Sequence, residues 1–299
     1  MNVPACDVVS HGVMFPMRKL YLIGIGAGNP EYITVQAIKA LNLVDVFFFM
    51  DKGEAKQDLV NLRKQICERY IENRSYRVVE ADDPVRDPTI SDYTTRVELW
   101  HQQRALIYEE MIAQELEEDQ CGAFLVWGDP SLYDSTLRII DQIMAGGRLR
   151  FEFDVIPGIT SIQALAARHK ITLNGIGESL VITTGRQLSA GLSDTAERTI
   201  VMLDGQCSFN NLLDEELDIF WGAYLGMEEE ILLSGKLSEI ASRIEEARHE
   251  RRERKGWIMD TYLLSRPRMA TQAQSPHTRD VRTRQAQAIT PIDHNDPSE

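Results

Sequence analysis

The sequence predicts an α/β protein in which a mostly parallel sheet with helices on both faces precedes a smaller mixed sheet. Two observations predict this class. Between residues 19 and 170, short apolar runs alternate with amphipathic helical patterns, the order that produces parallel strands joined by helices. Beyond residue 178, strand-like segments follow one another closely, with one long helical pattern among them. This closer spacing favours a mixed or largely antiparallel sheet.

Composition limits the possible functions. The chain has 299 residues, of which 43% are hydrophobic, enough to bury two medium-sized cores. Its formal charge of −14 argues against a nucleic-acid partner, because binding the phosphate backbone requires clustered cations. The longest apolar run, residues 44–50, is interrupted by Asp45 and is too short to cross a membrane.

The four cysteines are widely separated and show neither a CxxC pair nor the spacing of metal ligands. We therefore expect reduced thiols, a cytoplasmic location and no metal site. The N-terminus does not read as a signal peptide.

The sequence divides into four segments. Residues 1–17 lack periodicity and are expected to be a disordered leader, with Met17 as an alternative start. Residues 18–170 form the predicted N-terminal α/β domain, and residues 171–266 the C-terminal mixed domain. Residues 267–299 are rich in Gln, Ser, Thr, Arg and Pro and are predicted to be disordered.

The first unit is a strand, a glycine-rich loop and a helix. The strand at residues 19–25 leads into the sequence GIGAGNP at residues 24–30, and Thr34 can cap the helix that follows. A dinucleotide-binding motif requires a third glycine at the position of Asn29. Asp51 could serve as the acid that binds the ribose in such a site. Alternatively, the glycines only make a tight turn that lets the helix pack closely.

Two helices and a strand continue the alternation. Residues 56–73 and 93–118 are predicted helices, and residues 76–80 form a short strand. Residues 81–91 contain three carboxylates, two prolines and Arg86, which is too irregular a composition for a helix or strand. This segment is either a loop that closes over a ligand or a solvated connection.

The central loop has the sequence WGDPSLY at residues 127–133. It joins an apolar strand, residues 121–127, to a helical pattern at residues 134–144. The loop should therefore lie at the carboxyl end of a strand, the edge at which open α/β sheets bind ligands. Gly128 permits close backbone approach and Pro130 stiffens the turn.

The next strand, residues 152–156, leads into the sequence PGITS at residues 157–161. Thr160 and Gln163 have the spacing of a capping box, so a helix should begin here. Its unpaired amide groups and the hydroxyls of Thr160 and Ser161 would suit a carboxylate or a ligand hydroxyl. A simple helix cap is the alternative.

The C-terminal half contains five strand candidates and one long helix. The helix, residues 237–253, alternates charge signs and is expected to present a solvated face. The strand candidates are residues 180–184, 198–203, 219–225, 230–233 and 257–264.

Four motifs in this order carry a family resemblance that spans residues 18–265. They are GIGAGNPE at residues 24–31 with Thr34, WGDP at 127–130, VIPGITS at 155–161 and TIVMLDG at 199–205. The chain resembles the tetrapyrrole methylase family. The resemblance implies a two-domain fold with the active site in a cleft between the domains, and S-adenosylmethionine as the methyl donor.

Three further stretches, residues 47–53, 93–100 and 221–227, resemble the family members that act on precorrin-5 rather than the uroporphyrinogen methylases. This likeness implies a cytoplasmic, homodimeric enzyme of aerobic cobalamin (vitamin B12) synthesis. Such an enzyme moves a methyl group from S-adenosylmethionine onto C-1 of precorrin-5 and releases the acetyl group as acetate. Another precorrin methylase of the same family is the alternative.

The resemblance also implies the site residues. The first glycine loop, with Gly26 and Gly28, should border the tetrapyrrole. Ala27 replaces the family's usual proline, and Asp204 replaces a methionine, so donor contacts there should be made mainly by the backbone. The residues implied to hold the methyl donor are Trp127, Gly128, Asp129, Thr160, Ser161, Leu203, Asp204 and Leu225.

Chemistry adds two sets of candidates. Methyl transfer depends mainly on positioning, whereas water addition to an acetyl carbonyl benefits from a general base. The candidates for that base are Asp51, Asp129, Tyr133 and His101, which the sequence does not rank. Substrate carboxylates need local cations in so acidic a protein. The candidates are Lys52, Arg96 and Arg186, with Arg86 and Arg138.

Two alternatives lie outside the family. A nicotinamide-dependent oxidoreductase would use the first glycine loop, but Asn29 stands where its third glycine should be. A non-catalytic tetrapyrrole carrier would have no need of the second small-molecule site that residues 157–161 indicate.

Overall fold

The N-terminal half of the protein forms a parallel five-stranded sheet. The structure, a computed structural model, describes residues 17–51, 57–72, 75–193 and 196–267. The sheet has the strand order β3-β2-β4-β1-β5, and all of its neighbouring strands are parallel. Its strands are β1 (Arg18–Gly24), β2 (Val46–Asp51), β3 (Arg77–Asp82), β4 (Cys121–Val126) and β5 (Phe151–Ile156).

Five helices accompany these strands: α1 (Val35–Leu41), α2 (Gln57–Tyr70), α3 (Tyr93–Glu115), α4 (Thr136–Gly146) and α5 (Ser161–His169). Strand β2 shows how the sequence covers both faces. Phe47 and Phe49 point into the core beneath α1 and α2, whereas Phe48 packs with Tyr108 and Phe124 beneath α3 and α4. Successive strand residues face opposite sides of a sheet, so a triple phenylalanine requires helices on both.

The second sheet is mixed, with the order β6-β7-β10-β8-β9. Strands β6 and β7 are parallel, and the remaining pairs are antiparallel. Its elements are β6 (Leu180–Thr184), α6 (Gly185–Leu188), β7 (Arg198–Met202), β8 (Asp218–Ala223), β9 (Ile231–Lys236), α7 (Leu237–Lys255) and β10 (Asp260–Ser265).

Each face of this sheet has its own core. Trp221, Tyr262 and Phe209 are buried together on the face that α7 covers. On the other face, Leu165 of α5 packs with Ile200 and Leu263. Helix α5 therefore begins at the first sheet and ends against the second, which fixes the two sheets relative to each other.

The predicted fold class is confirmed, with small differences at the ends of elements. Strand β3 continues to Asp82, so the first two residues of the segment 81–91, which was predicted to be irregular, belong to a strand. The short helix α6 was not predicted, because four residues give no helical period. The last strand begins at Asp260 rather than at residue 257, because Gly256 ends α7 in a left-handed conformation and the Trp257 carbonyl accepts a hydrogen bond from Tyr224. The described chain through Pro267 forms one compact unit, and the predicted boundary at residue 171 remains a prediction.

Two expectations concern the chain as a whole. Within the described ranges, no helix is long and apolar enough to cross a membrane. Cys67 and Cys207 are free thiols. Residues 1–16 of the predicted leader (1–17) and residues 268–299 of the predicted tail (267–299) lie outside the described residues.

Candidate active site

Three loops meet where the first sheet reverses its winding direction. From β1 the chain proceeds towards β2 and β3 on one side, and from β4 it crosses to β5 on the other, so β4, β1 and β5 are neighbours. Ligands of open α/β sheets bind at such a switch point. The loops after β1 and β4 are joined directly, because the Gly128 amide donates to the Gly26 carbonyl at 2.9 Å and the Gly26 amide donates back at 3.3 Å.

The backbones of the three loops touch at glycines. A Cβ atom on Gly158 would lie 2.0 Å from the Gly128 carbonyl oxygen, and one on Gly24 would lie 2.6 Å from the Gly158 nitrogen. No other residue fits such approaches. The predicted motifs are therefore parts of one structure at the carboxyl edge of the sheet.

Asp129 braces two of these loops. One carboxylate oxygen accepts hydrogen bonds from the amide and hydroxyl of Ser131, and the other accepts from the Gly158 amide at 2.8 Å. Burial alone would raise the pKa of this carboxyl, but the hydrogen bonds from Ser131 and Gly158 outweigh burial and hold the pKa below its usual value. Asp129 is therefore anionic and already occupied by donors, which favours a bracing role over that of a base.

Thr160 caps helix α5 with the predicted capping box. Its hydroxyl accepts from the Ile162 amide and donates to the Gln163 side chain, which in turn accepts from the Thr160 amide. The next residue reaches the second sheet, since the hydroxyls of Ser161 and Thr261 lie 2.9 Å apart. The first turn of α5 thus connects the carboxyl edge of one sheet to strand β10 of the other.

The second sheet contributes the loop after β7, which is held in place by hydrogen bonds to a buried carboxylate. Leu203 has a φ of 53° and is 65% exposed, whereas Asp204 is buried. The Asp204 carboxylate accepts hydrogen bonds from the Tyr262 hydroxyl at 2.6 Å and from the Ser208 amide at 2.7 Å. Asp204 thus fixes the loop after β7, in which the adjacent Leu203 is exposed.

Arg248 of helix α7 holds the same loop. Its guanidinium donates to the Asp204 carbonyl at 2.7 Å and forms a buried ion pair with Asp260. Asp260 also accepts a hydrogen bond from the Trp221 indole at 2.8 Å. The sequence analysis missed Arg248 and Asp260, and an Asp at the first residue of an apolar strand was the available signal.

The loop after β8 closes against the first glycine loop. A Cβ atom on Gly28 would lie 2.3 Å from the Leu225 carbonyl, and one on Gly226 would lie 2.4 Å from the Ala27 carbonyl. This close approach accounts for glycine at position 28. At Gly26, an added Cβ atom would collide with Tyr32. Contact of either glycine with a substrate stays a prediction.

A cleft runs between the two sheets. Its inner part is lined by Trp127, Ser161, Leu225 and Thr261, and Met259 connects it to a wider cavity. That cavity, of about 480 Å³, is lined by Leu203, Asp204 and Arg248, with Trp257 and Gly205. The volume falls in the range of small-molecule sites, and Trp127 packs against the cores of both sheets.

Comparison with known proteins supports this geometry. The family model of tetrapyrrole (corrin/porphyrin) methylases matches residues 19–241, which include the three loops at the edge of the first sheet, the Leu203 loop and the loop after β8. The chain belongs to the tetrapyrrole methylases.

Two relatives and a more distant structure resemble this tetrapyrrole methylase. A Sinorhizobium sp protein named precorrin-6A synthase [deacetylating] is 50% identical over 248 residues, covering 83% of this chain and 95% of the relative. A protein of Corynebacterium diphtheriae described as cobalamin synthesis related (CobF) has a TM-score of 0.71 and 39% identity, covering 83% and 98%. The Thermus thermophilus uroporphyrin-III C-methyl transferase, solved with S-adenyl homocysteine, shares the fold alone, with a TM-score of 0.50 and 16% identity over 83% and 97%.

Two of the methylase's predicted substrate-binding cations meet at the ring of Tyr93. The Arg186 guanidinium of α6 lies 3.4 Å from the centre of the Tyr93 ring at the start of α3, and Arg96 lies 5.7 Å from the same ring. Two of the predicted substrate contacts are therefore brought together from opposite sheets. The third, Lys52, lies outside the described residues.

The remaining candidate bases differ in their surroundings. Asp51 ends strand β2, on the far side of β4 from the first glycine loop. Tyr133 has a φ of 51° and is 43% exposed, and burial raises the pKa of its hydroxyl, so it stays protonated at neutral pH. Burial, followed by the charges of Arg138 and Arg86, lowers the pKa of His101. Its imidazole is therefore neutral at pH 7 and able to accept a proton.

The nicotinamide alternative loses its structural basis in this methylase. The Asn29 side chain accepts a hydrogen bond from the Glu31 amide and starts a single 3₁₀ turn at Pro30, so the glycine loop does not open directly into α1. Helix α1 begins at Val35, after the cap supplied by Thr34. A dinucleotide phosphate would require the loop and the helix N-terminus to be continuous.

Proposed function

We propose that this protein is an S-adenosylmethionine-dependent C-methyltransferase that methylates precorrin-5 at C-1 and releases acetate, a precorrin-6A synthase (deacetylating). The 50% identity that extends over 95% of the Sinorhizobium protein carries this proposal. The family match over residues 19–241 includes the three glycine loops, the Leu203 loop and the segment after β8, which line much of the cleft.

The donor would lie in the cleft between the sheets. The exposed Leu203 and the backbone at Leu225 and Gly128 would contact it, with Trp127 and Ser161 on the inner wall. The side chains of Asp129, Thr160 and Asp204 are bound within the protein. These three would act by holding the loops, which leaves contact with the donor to backbone groups.

The reaction needs water, the donor and the tetrapyrrole. Water adds to the acetyl carbonyl carbon, the bond from that carbon to the ring breaks, and its electron pair stays on the ring. The acetyl carbon leaves as acetic acid, which loses a proton. Ring carbon C-1 then attacks the sulfonium methyl of the donor with an electron pair of the ring. The electron pair of the methyl–sulfur bond goes to sulfur, which gives S-adenosylhomocysteine.

The protein's residues would divide this work unequally. Methyl transfer requires alignment of carbon, methyl and sulfur in a dry cleft, and such positioning contributes several kcal/mol, on the order of 7 or more in model reactions. Water addition requires a base. Asp129 is disfavoured, because its oxygens already accept hydrogen bonds from Ser131 and Gly158, and Asp51, Tyr133 and His101 remain the candidates.

The same proposal includes a cytoplasmic location and a homodimer. The free thiols of Cys67 and Cys207 support a reducing compartment. Arg96 and Arg186 support an anionic substrate, because they are close to each other in a protein whose net charge is −14.

A product assay tests the proposal. Precorrin-5 and S-adenosylmethionine are supplied, and the macrocycle mass and free acetate are followed by mass spectrometry. The expected product has gained one methyl and lost its acetyl group, with one acetate per turnover. Gain of methyl with retention of acetyl would assign a different precorrin methylase, and no methyl transfer would reject the function.

A further inference from the structure

A second polar pocket lies on the opposite face of strand β4 from the cleft. Strands β2 and β4 pair only as far as Phe48 and Phe124, and then diverge. The gap is a cavity of about 50 Å³ whose apolar wall includes Met50 and Val126. Its polar wall consists of Arg63, Arg104, Tyr108, Asp134 and Thr136.

One cation of this pocket has no acidic partner. Arg63 donates to the Leu125 carbonyl at 2.9 Å and to the Leu59 carbonyl at 2.8 Å, and no carboxylate of the described residues lies within ion-pairing distance of it. A guanidinium has five N–H donors. The two bonds to carbonyls therefore leave donors for a ligand.

The second cation is buried with an incomplete partner. Arg104 is 5% exposed, and its Nε atom lies 2.9 Å from Oδ1 of Asp83. These two atoms form an ion pair without the geometry of a hydrogen bond. A second guanidinium nitrogen of Arg104 donates to the Ser135 hydroxyl at 3.1 Å. Arg104 therefore keeps a charged group in the pocket wall, and Asp83 neutralises part of its charge from outside the wall.

The wall of the pocket contains more cations than acids. Two arginines, Arg63 and Arg104, line it together with one carboxylate. Asp134, the carboxylate in the pocket wall, accepts a hydrogen bond from the Thr136 amide at 2.7 Å. In an acidic protein such a concentration of arginines favours an anion.

The volume limits that anion to a few atoms. A cavity needs about 10 to 15 Å³ on this scale to hold one water. The pocket therefore accommodates a ligand of roughly three to five non-hydrogen atoms by the same measure. A planar carboxylate matches the fork of an arginine, and Phe48, Met50 and Val126 supply an apolar wall for a methyl group.

We propose that this pocket binds a small monocarboxylate and is the exit site for the acetate formed in the reaction. This assignment of acetate rests on the proposed function. Val126 lines the pocket and its neighbour Trp127 lines the cleft. The two sites are therefore separated by one strand, which places the carboxylate pocket directly behind the loop that faces the donor.

Binding of sodium acetate to the full chain tests the pocket without any tetrapyrrole. The probe is the line width of the acetate methyl proton resonance in a carboxylate-free buffer with constant chloride. Wild type is expected to broaden the line saturably, and Arg63→Gln to weaken binding at least tenfold. Val126→Ile should also weaken binding, because it fills the cavity while keeping every charge.

Arg69→Gln is the matched control. Arg69 lies on the same helix, but it is half exposed and pairs with Glu31 at 2.6 Å. It should bind acetate as wild type does, and the thermal midpoints of all variants establish that each is folded. Equal broadening by wild type, Arg63→Gln and Val126→Ile, or none by wild type, would overturn the pocket assignment.

Product inhibition separates the two proposals. Added acetate should inhibit methyl transfer in wild type and at least tenfold less effectively in Arg63→Gln. Acetate release without Arg63-dependent binding would reject the pocket and leave the proposed function standing. Arg63-dependent binding in a protein that never releases acetate would retain a small-carboxylate pocket, while rejecting both the proposed function and the acetate exit role.

Discussion

At the residue scale, the carboxylates of the WGDP and TIVMLDG motifs accept hydrogen bonds from the protein's own backbone amides. Asp129 receives the Gly158 amide, and Asp204 receives the Ser208 amide and the Tyr262 hydroxyl. Asp204 itself is buried, and it is the neighbouring Leu203 that is exposed. A carboxylate in a binding motif can therefore define a site without touching the ligand.

Asp129→Asn tests the brace. The amide keeps one acceptor, so the bonds from Ser131 and Gly158 cannot both be retained, and the free energy of unfolding at pH 7 should fall by about 1 to 3 kcal/mol. The Michaelis constant for S-adenosylmethionine should rise several-fold, with a smaller fall in turnover. Urea denaturation and steady-state kinetics measure the two effects.

The pH dependence of the same variant gives a second check. The folded-state pKa of Asp129 is depressed below 3.8. Its stabilisation is therefore fully present above the unfolded-state pKa and is lost as pH falls through the folded-state pKa. The stability difference between wild type and Asp129→Asn should be constant from pH 6 to 8 and shrink below about pH 4. A difference that grew in acid would contradict the brace.

At the scale of elements, most of the fold could be predicted because its signals are local. Alternating apolar runs gave the parallel strands, and Thr34 and Thr160 marked helix starts that the structure confirms. The buried pair of Arg248 and Asp260 could not be predicted, since it joins the middle of a charged helix to a strand. The pocket around Arg63 was missed for the same reason: its walls come from five separate segments.

The contact of the three loops predicts a severe effect of one methyl group. Gly158→Ala would place a carbon 2.0 Å from the Gly128 carbonyl, which only backbone movement can relieve. We expect a loss of at least about 2 kcal/mol of stability and of most donor binding. Gly146→Ala is the control, because an added Cβ there meets nothing within 4 Å and α4 should be unchanged or up to about 1 kcal/mol more stable. Thermal unfolding and ligand titration compare the variants, and equal midpoints would contradict the packing argument.

At the scale of the molecule, the two sheets are connected through α5 and through the loops that line the cleft. The described chain through Pro267 is one compact unit, and Trp127 packs against both cores. A ligand in the cleft therefore contacts groups from both sheets and should stabilise the unit as a whole.

S-adenosylhomocysteine should accordingly raise the midpoint of a single unfolding transition. At a ligand concentration of 100 times Kd, mass action contributes about 2.7 kcal/mol, which corresponds to a shift of about 5 to 10 °C for a chain of this size. NAD should produce no shift, because Asn29 interrupts the loop that would hold its phosphates. Differential scanning calorimetry measures both ligands. A shift with NAD alone would reject the donor site, and two separate transitions of which only one responds would show that the ligand contacts a single sheet.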